Sequence, residues 1–299
     1  MAQAKNQTPN QLSARGPDNS VVPTVETSGT AASTHSQLIL LVHGYDNTVQ
    51  AATASYNAFL ANFQAWLAQN APNRVNLDDV FLFFWPGDKN WGPFSFGSYP
   101  LEITPAVQSA ASLATYLSAL TGPSGLAIDL FVIAHSLGNR LLLELLKNLA
   151  NRTAARLTVR HVCLMAAAVP VAMVDGGGNL QPAAGSTNTL TLYSTSDWVL
   201  EFGFPVGETL AGEGHFPEAV GRDGNPSADW TDREPMNSYG HHDYWTKSQT
   251  IPQVAKMFGI VLPNQIPQST IVRRQLPPTS QPPESVTATR ALPVQPSFG

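Results

Sequence analysis

The stretch FVIAHSLGNRLLLELL, residues 131–146, sets an apolar run, a serine and a leucine-rich run in direct succession. The first run ends at Ala134, His135 and Ser136 interrupt it, and the leucines begin after Gly138. A continuous apolar run reads as a strand buried on both faces, and the leucine-rich run as an amphipathic helix. Strand, serine and helix with almost no loop between them is the context of the nucleophile-elbow pattern G-x-S-x-G. The turn is tight, so the residues two before and two after the serine must be small. Gly138 meets that demand, and Ala134 departs from glycine by one methyl. Such a turn lifts the Ser136 hydroxyl clear of the sheet. It also leaves the Leu137 amide unpaired at the start of the helix, where the macrodipole favours an anion. Serine is a favoured helix N-cap as well, but the flanking strand and helix argue for the elbow.

The alternation extends in both directions. QLILLVHG (37–44), DVFLFFWPG (79–87), LAIDLFVIA (126–134), RHVCLMAAAV (160–169) and TLTLYST (189–195) read as strands. Ala52, Tyr56, Leu60, Phe63 and Leu67 form a helical stripe that Pro72 ends. Val107, Ala110, Ala111, Ala114, Leu117 and Leu120 share one face of a second helix, stopped by Gly122-Pro123. This order predicts the α/β class, a mostly parallel sheet with helices on both faces joined by right-handed crossovers. Residues 37–262 are expected to form one such domain, with its chemistry beyond the carboxyl ends of the strands. Residues 1–36 are rich in Thr, Ser, Ala, Asn and Gln without an apolar period, and read as a disordered N-terminal arm. The stretch 264–299 holds seven of the 24 prolines, so 263–299 reads as a Pro-rich disordered tail.

Composition narrows the function. The 299 residues are 43% hydrophobic and only 12% charged, enough for a sizeable core, and the net charge of −5 argues against nucleic acid or a polybasic membrane contact. The single cysteine, Cys163, allows no internal disulfide and reads as a buried structural thiol. No apolar stretch approaches the roughly 18 residues of a transmembrane segment, and the N-terminus lacks the apolar core of a secretory signal. A cytoplasmic protein is the expectation. No metal is expected at HHD (241–243), because adjacent residues seldom face one ion and no second ligand pair accompanies them. No phosphate-binding glycine loop follows a strand, so no cofactor is expected.

A serine in an elbow needs a base, and the base an orienting acid, in the chain order Ser, Asp or Glu, His. His35, His43 and His135 precede the serine, and His161 precedes any plausible acid. His215 lies in a glycine-rich insert, whereas His241 and His242 stand just before the last helix, where the base belongs. Asp197 lies just past the strand LTLYST, with Asp175, before three glycines, as its rival; turn chemistry suits Asp175 better. The second oxyanion donor is expected from Gly44 or Tyr45, in the loop after the first core strand. His43 is expected to shape that loop by hydrogen bonding. The aromatic side chains Trp91, Phe94, Phe96 and Tyr99 either wall an acyl pocket or pack their own loop. The long insert 198–234 is either a partial lid or a surface excursion.

The segments LVHGYDN, FFWPG, IAHSLGNRLLLELL, LYSTSDW and GHHDYW, in this order, resemble the α/β-hydrolase superfamily. More narrowly they resemble the uncharacterised α/β hydrolases known as domain of unknown function 900. The likeness spans roughly residues 37–255. It implies the α/β-hydrolase fold, a nucleophile at Ser136 and an acid at Asp197. The late G-H pattern falls on Gly240-His241 and favours His241 over His242 as base. The sequence departs from the family at Leu137, where methionine is common, and at Asp46 before Asn47; neither position carries a catalytic group. Motif and resemblance together lead to the expectation of a serine hydrolase, carboxylesterase- or lipase-like, cleaving a small-molecule ester through an acyl-enzyme. A binding or scaffold protein that has lost turnover and an acyltransferase are the rival expectations.

Overall fold

The computed structural model describes residues 9–88, 99–152, 156–184, 187–223, 230 and 232–260. Its strands are β1 (Asn10–Arg15), β2 (Val21–Ser28), β3 (Gln37–Val42), β4 (Val80–Phe84), β5 (Ile128–His135), β6 (Leu157–Met165), β7 (Asn188–Tyr193) and β8 (Asp232–Pro235). They form one sheet in the order β2-β1-β4-β3-β5-β6-β7-β8. Only β1 and β2 run antiparallel; every other neighbouring pair is parallel. The central strands β3, β4 and β5 are buried along nearly their whole length, as continuous apolar runs between two helical layers must be.

The long helices are α1 (Val49–Asn70), α2 (Tyr99–Ala119) and α3 (Gly138–Ala150). Short helices follow: α4 (Val171–Val174), α5 (Gln181–Ala184), α6 (Phe204–Ala211), α7 (Val220–Asp223), α8 (Asp243–Thr246) and α9 (Thr250–Ala255). α1 packs with α8, α9 and β4, whereas α2 and α3 pack on each other and on the sheet from the other layer. Thr48 caps α1 by accepting from the Ala51 amide. Its buried stripe is Ala52, Tyr56, Phe59, Phe63 and Leu67, and Leu60 packs against the same core while partly exposed. Of the stripe expected in α2, Ala111 is exposed, and Leu113 is buried in the core instead. That helix also begins before Pro105, which its first turns accommodate. None of the described helices is long and apolar enough to cross a membrane. Cys163 is fully buried in β6, and burial pushes its thiol pKa up.

One expectation needs correction. Residues 10–28 are not part of a disordered arm: β1 lies parallel to β4, from Asn10 opposite Phe81 to Ser13 opposite Phe84, and β2 covers its outer edge. The domain therefore starts well before residue 37. The composition concealed this because an edge hairpin is held by its backbone ladder and little apolar area. Leu12, Ala14 and Val25 are its only buried apolar side chains. Asn10 supplies further bonds, donating to the Asp78 carbonyl and accepting from the Thr30 amide, both at 2.8 Å. The insert 198–234, read as a partial lid or a surface excursion, contains α6 and α7 and runs into the edge strand β8. Residues 263–299, read as a tail, lie outside the described residues.

Candidate active site

The turn after β5 holds the most constrained backbone of the site. Ser136 has φ 54°, a left-handed conformation that a β-substituted residue adopts only under constraint, at a cost of about 1–3 kcal/mol. Tertiary hydrogen bonds supply the constraint. The Ser136 amide donates to the Met165 carbonyl at 3.0 Å, and the Ser136 carbonyl accepts from the Ala168 amide at 3.2 Å. Asn139 Nδ2 spans both sides, donating to the carbonyls of Ser136 and Met165 at 3.0 Å each. Gly138 is required sterically: a Cβ there would lie 2.4 Å from the His43 carbonyl oxygen. A Cβ at Gly44 would lie 2.6 Å from that of Ser136, so the loop after β3 reaches the serine only because Gly44 has none. Among the described residues no acceptor meets the Leu137 amide, which opens α3 beside the Ser136 hydroxyl.

His241 reaches this turn across 105 residues of sequence. Its Nε2 stands 2.8 Å from Ser136 Oγ, and its Nδ1 2.8 Å from Asp197 Oδ2. Asp197 is fully buried, and its other oxygen accepts from the amides of Val199 and Leu200 at 3.1 and 3.2 Å. One carboxylate oxygen thus caps the helical turn after Asp197 while the other faces the imidazole. Ser194 Oγ donates to the Tyr239 carbonyl at 2.8 Å, tying the Asp197 loop to the His241 loop.

Two buried histidines brace the array. His135 donates from Nε2 to the His241 carbonyl at 2.7 Å. Burial, and then the nearby charge of His241, hold its pKa well below the usual imidazole range, so it stays neutral. His43 donates from Nδ1 to the Gly44 carbonyl at 2.8 Å, accepts from the Trp85 amide at 3.3 Å, and stacks on the Trp85 ring. Burial lowers its pKa to about 4. It shapes the loop after β3, as expected from the sequence.

A cavity of about 170 Å³ opens at Ser136, lined by Tyr45, Asp46, Ala168, Trp198, Val199, Leu200, Gly203, Phe204, His241 and His242. His242 begins α8 and faces this cavity, its pKa lowered by burial and by the charge of His241. Burial, then the charge of Asp88, raises the pKa of Asp46. The first part of the insert is therefore a pocket wall. The remaining sequence candidates fall elsewhere: Asp175 accepts from the Gly176 amide in a turn, His161 stacks on Phe131, and His215 is exposed beside Phe216. Trp91, Phe94, Phe96 and the side chain of Tyr99 lie outside the described residues. The sequence reading missed His135, Asn139 and Ser194 as bracing groups. Only the position of Asn139 inside the elbow stretch was a signal.

A family model described as "Alpha/beta hydrolase of unknown function (DUF900)" matches residues 26–202. The chain belongs to this family. No curated protein matches it. Among solved structures, this DUF900 chain is similar to a putative hydrolase from Agrobacterium vitis S4 at 13% identity and a TM-score of 0.41, covering 82% of this chain and 93% of that one. It is similar to the siderophore hydrolase EstB from Aspergillus fumigatus at 12% identity and a TM-score of 0.41, covering 86% and 97%. A third similar structure is the carboxylesterase CesB from Bacillus subtilis, at 10% identity and a TM-score of 0.37, covering 78% and 86%. By that family's description the DUF900 chain is an α/β hydrolase, and its parallel sheet with flanking helices is of that class.

Proposed function

We propose that the protein is a serine hydrolase that cleaves small carboxylic esters through an acyl-enzyme. The observation that carries this reading is the pair of 2.8 Å contacts joining Ser136 Oγ, His241 and the buried Asp197. Ser136 attacks the ester carbonyl while His241 Nε2 takes its proton, and Asp197 stabilises the imidazolium. The carbonyl oxygen becomes an oxyanion held by the Leu137 amide and one from Gly44 or Tyr45, a single such donor being worth about 3 kcal/mol. His241 returns the proton to the departing alcohol oxygen. Water then attacks the acyl-enzyme by the same steps and frees the acid and Ser136. No cofactor enters the scheme. Neutral His135 suits it, because a second cation 5.0 Å away would oppose formation of the His241 imidazolium.

The test is hydrolysis of p-nitrophenyl esters of graded acyl length together with labelling by a fluorophosphonate. Turnover and labelling that both vanish in Ser136→Ala are the expected result. A folded wild type that neither labels nor turns over favours a scaffold. Labelling followed by transfer to an added alcohol in preference to water favours an acyltransferase.

A further inference from the structure

The pocket wall has a second side. Trp198, Phe202, Val206 and Leu210 recur every four residues along the π-turn Val199–Gly203 and α6, and they are 57%, 64%, 41% and 64% exposed. That spacing sets them along one side of the segment. Phe216, just past the end of α6, is 59% exposed. Most large apolar side chains of the described residues lie in the core, so this concentration within 19 residues is unlike the rest of the surface. Apolar patches of this kind mark interaction sites. Val199, Leu200, Gly203 and Phe204 from the same segment line the cavity, and Trp198 both lines it and faces outward. Apolar surface therefore continues from the cavity over its rim. The cavity, at about 170 Å³, is close to the size that holds benzene. A longer hydrocarbon must leave part of itself outside, against the rim.

The charges identify what suits this surface. Glu201 pairs with Arg222 at 3.2 Å, Glu213 pairs with Arg140 at 2.6 Å, and Glu208 is buried. Arg222 is the only Lys or Arg of residues 198–222, so the segment offers no spare cation to an anionic headgroup, and the chain as a whole carries a net charge of −5. We propose that the Trp198–Leu210 stripe seats on a zwitterionic phospholipid surface and sets the mouth of the pocket against it. The inference rests on the proposed function only for the source of the ester; the docking itself requires no turnover.

Co-sedimentation with phosphatidylcholine vesicles tests it, using wild type, Ser136→Ala and the double variant Phe202→Ser/Leu210→Ser. Wild type and Ser136→Ala are expected to bind equally, without gain from added phosphatidylglycerol and without loss in about 0.5 M salt. The double variant should bind about tenfold more weakly, while its circular dichroism and its hydrolysis of a short soluble ester stay at wild-type level. Wild type remaining in the supernatant overturns the proposal. So does a double variant that binds fully, or binding that needs anionic lipid and disappears in salt. A dimer in light scattering that the double variant converts to monomer, with no vesicle binding by either protein, assigns the stripe to a second copy and overturns it too. Vesicle binding by a protein whose Ser136→Ala form keeps full esterase activity defeats the catalytic reading and leaves the docking standing.

Discussion

The turn around Ser136 and the segment 198–216 border the same cavity and are built on opposite principles. At the turn tertiary hydrogen bonds to Met165 and Ala168 fix the chain, the backbone is held at φ 54°, and two positions exclude even a methyl group. Along 198–216 large apolar side chains point outward and pair with little of the described core. Strain at the turn persists because the surroundings over-determine it; exposure at the wall persists because nothing there must be fixed within a fraction of an ångström. On the proposed reading, one region sets which atoms react and the other what approaches them.

The largest test of that contrast is catalytic. Ser136→Ala and His241→Ala should each lower kcat for ester hydrolysis by about 10⁴-fold or more. His242→Ala, which faces the same cavity without touching Ser136 or Asp197, should stay within about tenfold of wild type. Equal losses at both histidines would erase the distinction drawn between them. Asp197→Asn should fall near the first group, because it disturbs the imidazole tautomer and the cap together.

A pH series separates the two regions next. His43 is held at about 4 against an ordinary 6.5, so between those values the unfolded chain binds a proton that the folded chain refuses. Stability is therefore unaffected by this group above about pH 6.5 and falls as pH drops through that window, by about 3 kcal/mol at full development. His135 acts in the same direction. Urea midpoints of wild type should drop more steeply from pH 7 to 4.5 than those of His43→Gln; parallel slopes would refute the buried neutral imidazole.

Gly138→Ala brings a methyl to within 2.4 Å of the His43 carbonyl oxygen and should destabilise the fold by about 2 kcal/mol, measured by urea unfolding. The smallest effect is expected at the wall. Leu210→Ser should change stability by no more than about 0.5 kcal/mol, since its side chain is 64% exposed. A large loss there would mean that the wall is as tightly determined as the turn.

The elbow was legible because its signals are local. An apolar strand, Ser136, Gly138 and a leucine-rich helix lie within 16 consecutive residues, and the strand-end position of Asp197 follows from the same periodicity. The choice between His241 and His242 was not legible in periodicity or composition. Adjacent residues share every sequence signal, and which ring turns toward Ser136 is set by how α8 starts and by the His135 bond to the His241 carbonyl. The hairpin of β1 and β2 was missed for the opposite reason: its stabilisation is backbone pairing to β4, which leaves almost no mark on composition.

By itself, then, the sequence determined the elements whose burial pattern repeats along the chain: the parallel strands, the long helices and the strained turn that needs Gly138. Tertiary structure alone decided which imidazole meets the serine, that Asp197 divides its oxygens between a ring and a helix start, and that residues 198–216 turn one side to the cavity and the other outward. Hydrophobic periodicity is written residue by residue, whereas a 2.8 Å contact between groups 105 positions apart exists only once every intervening element has taken its place.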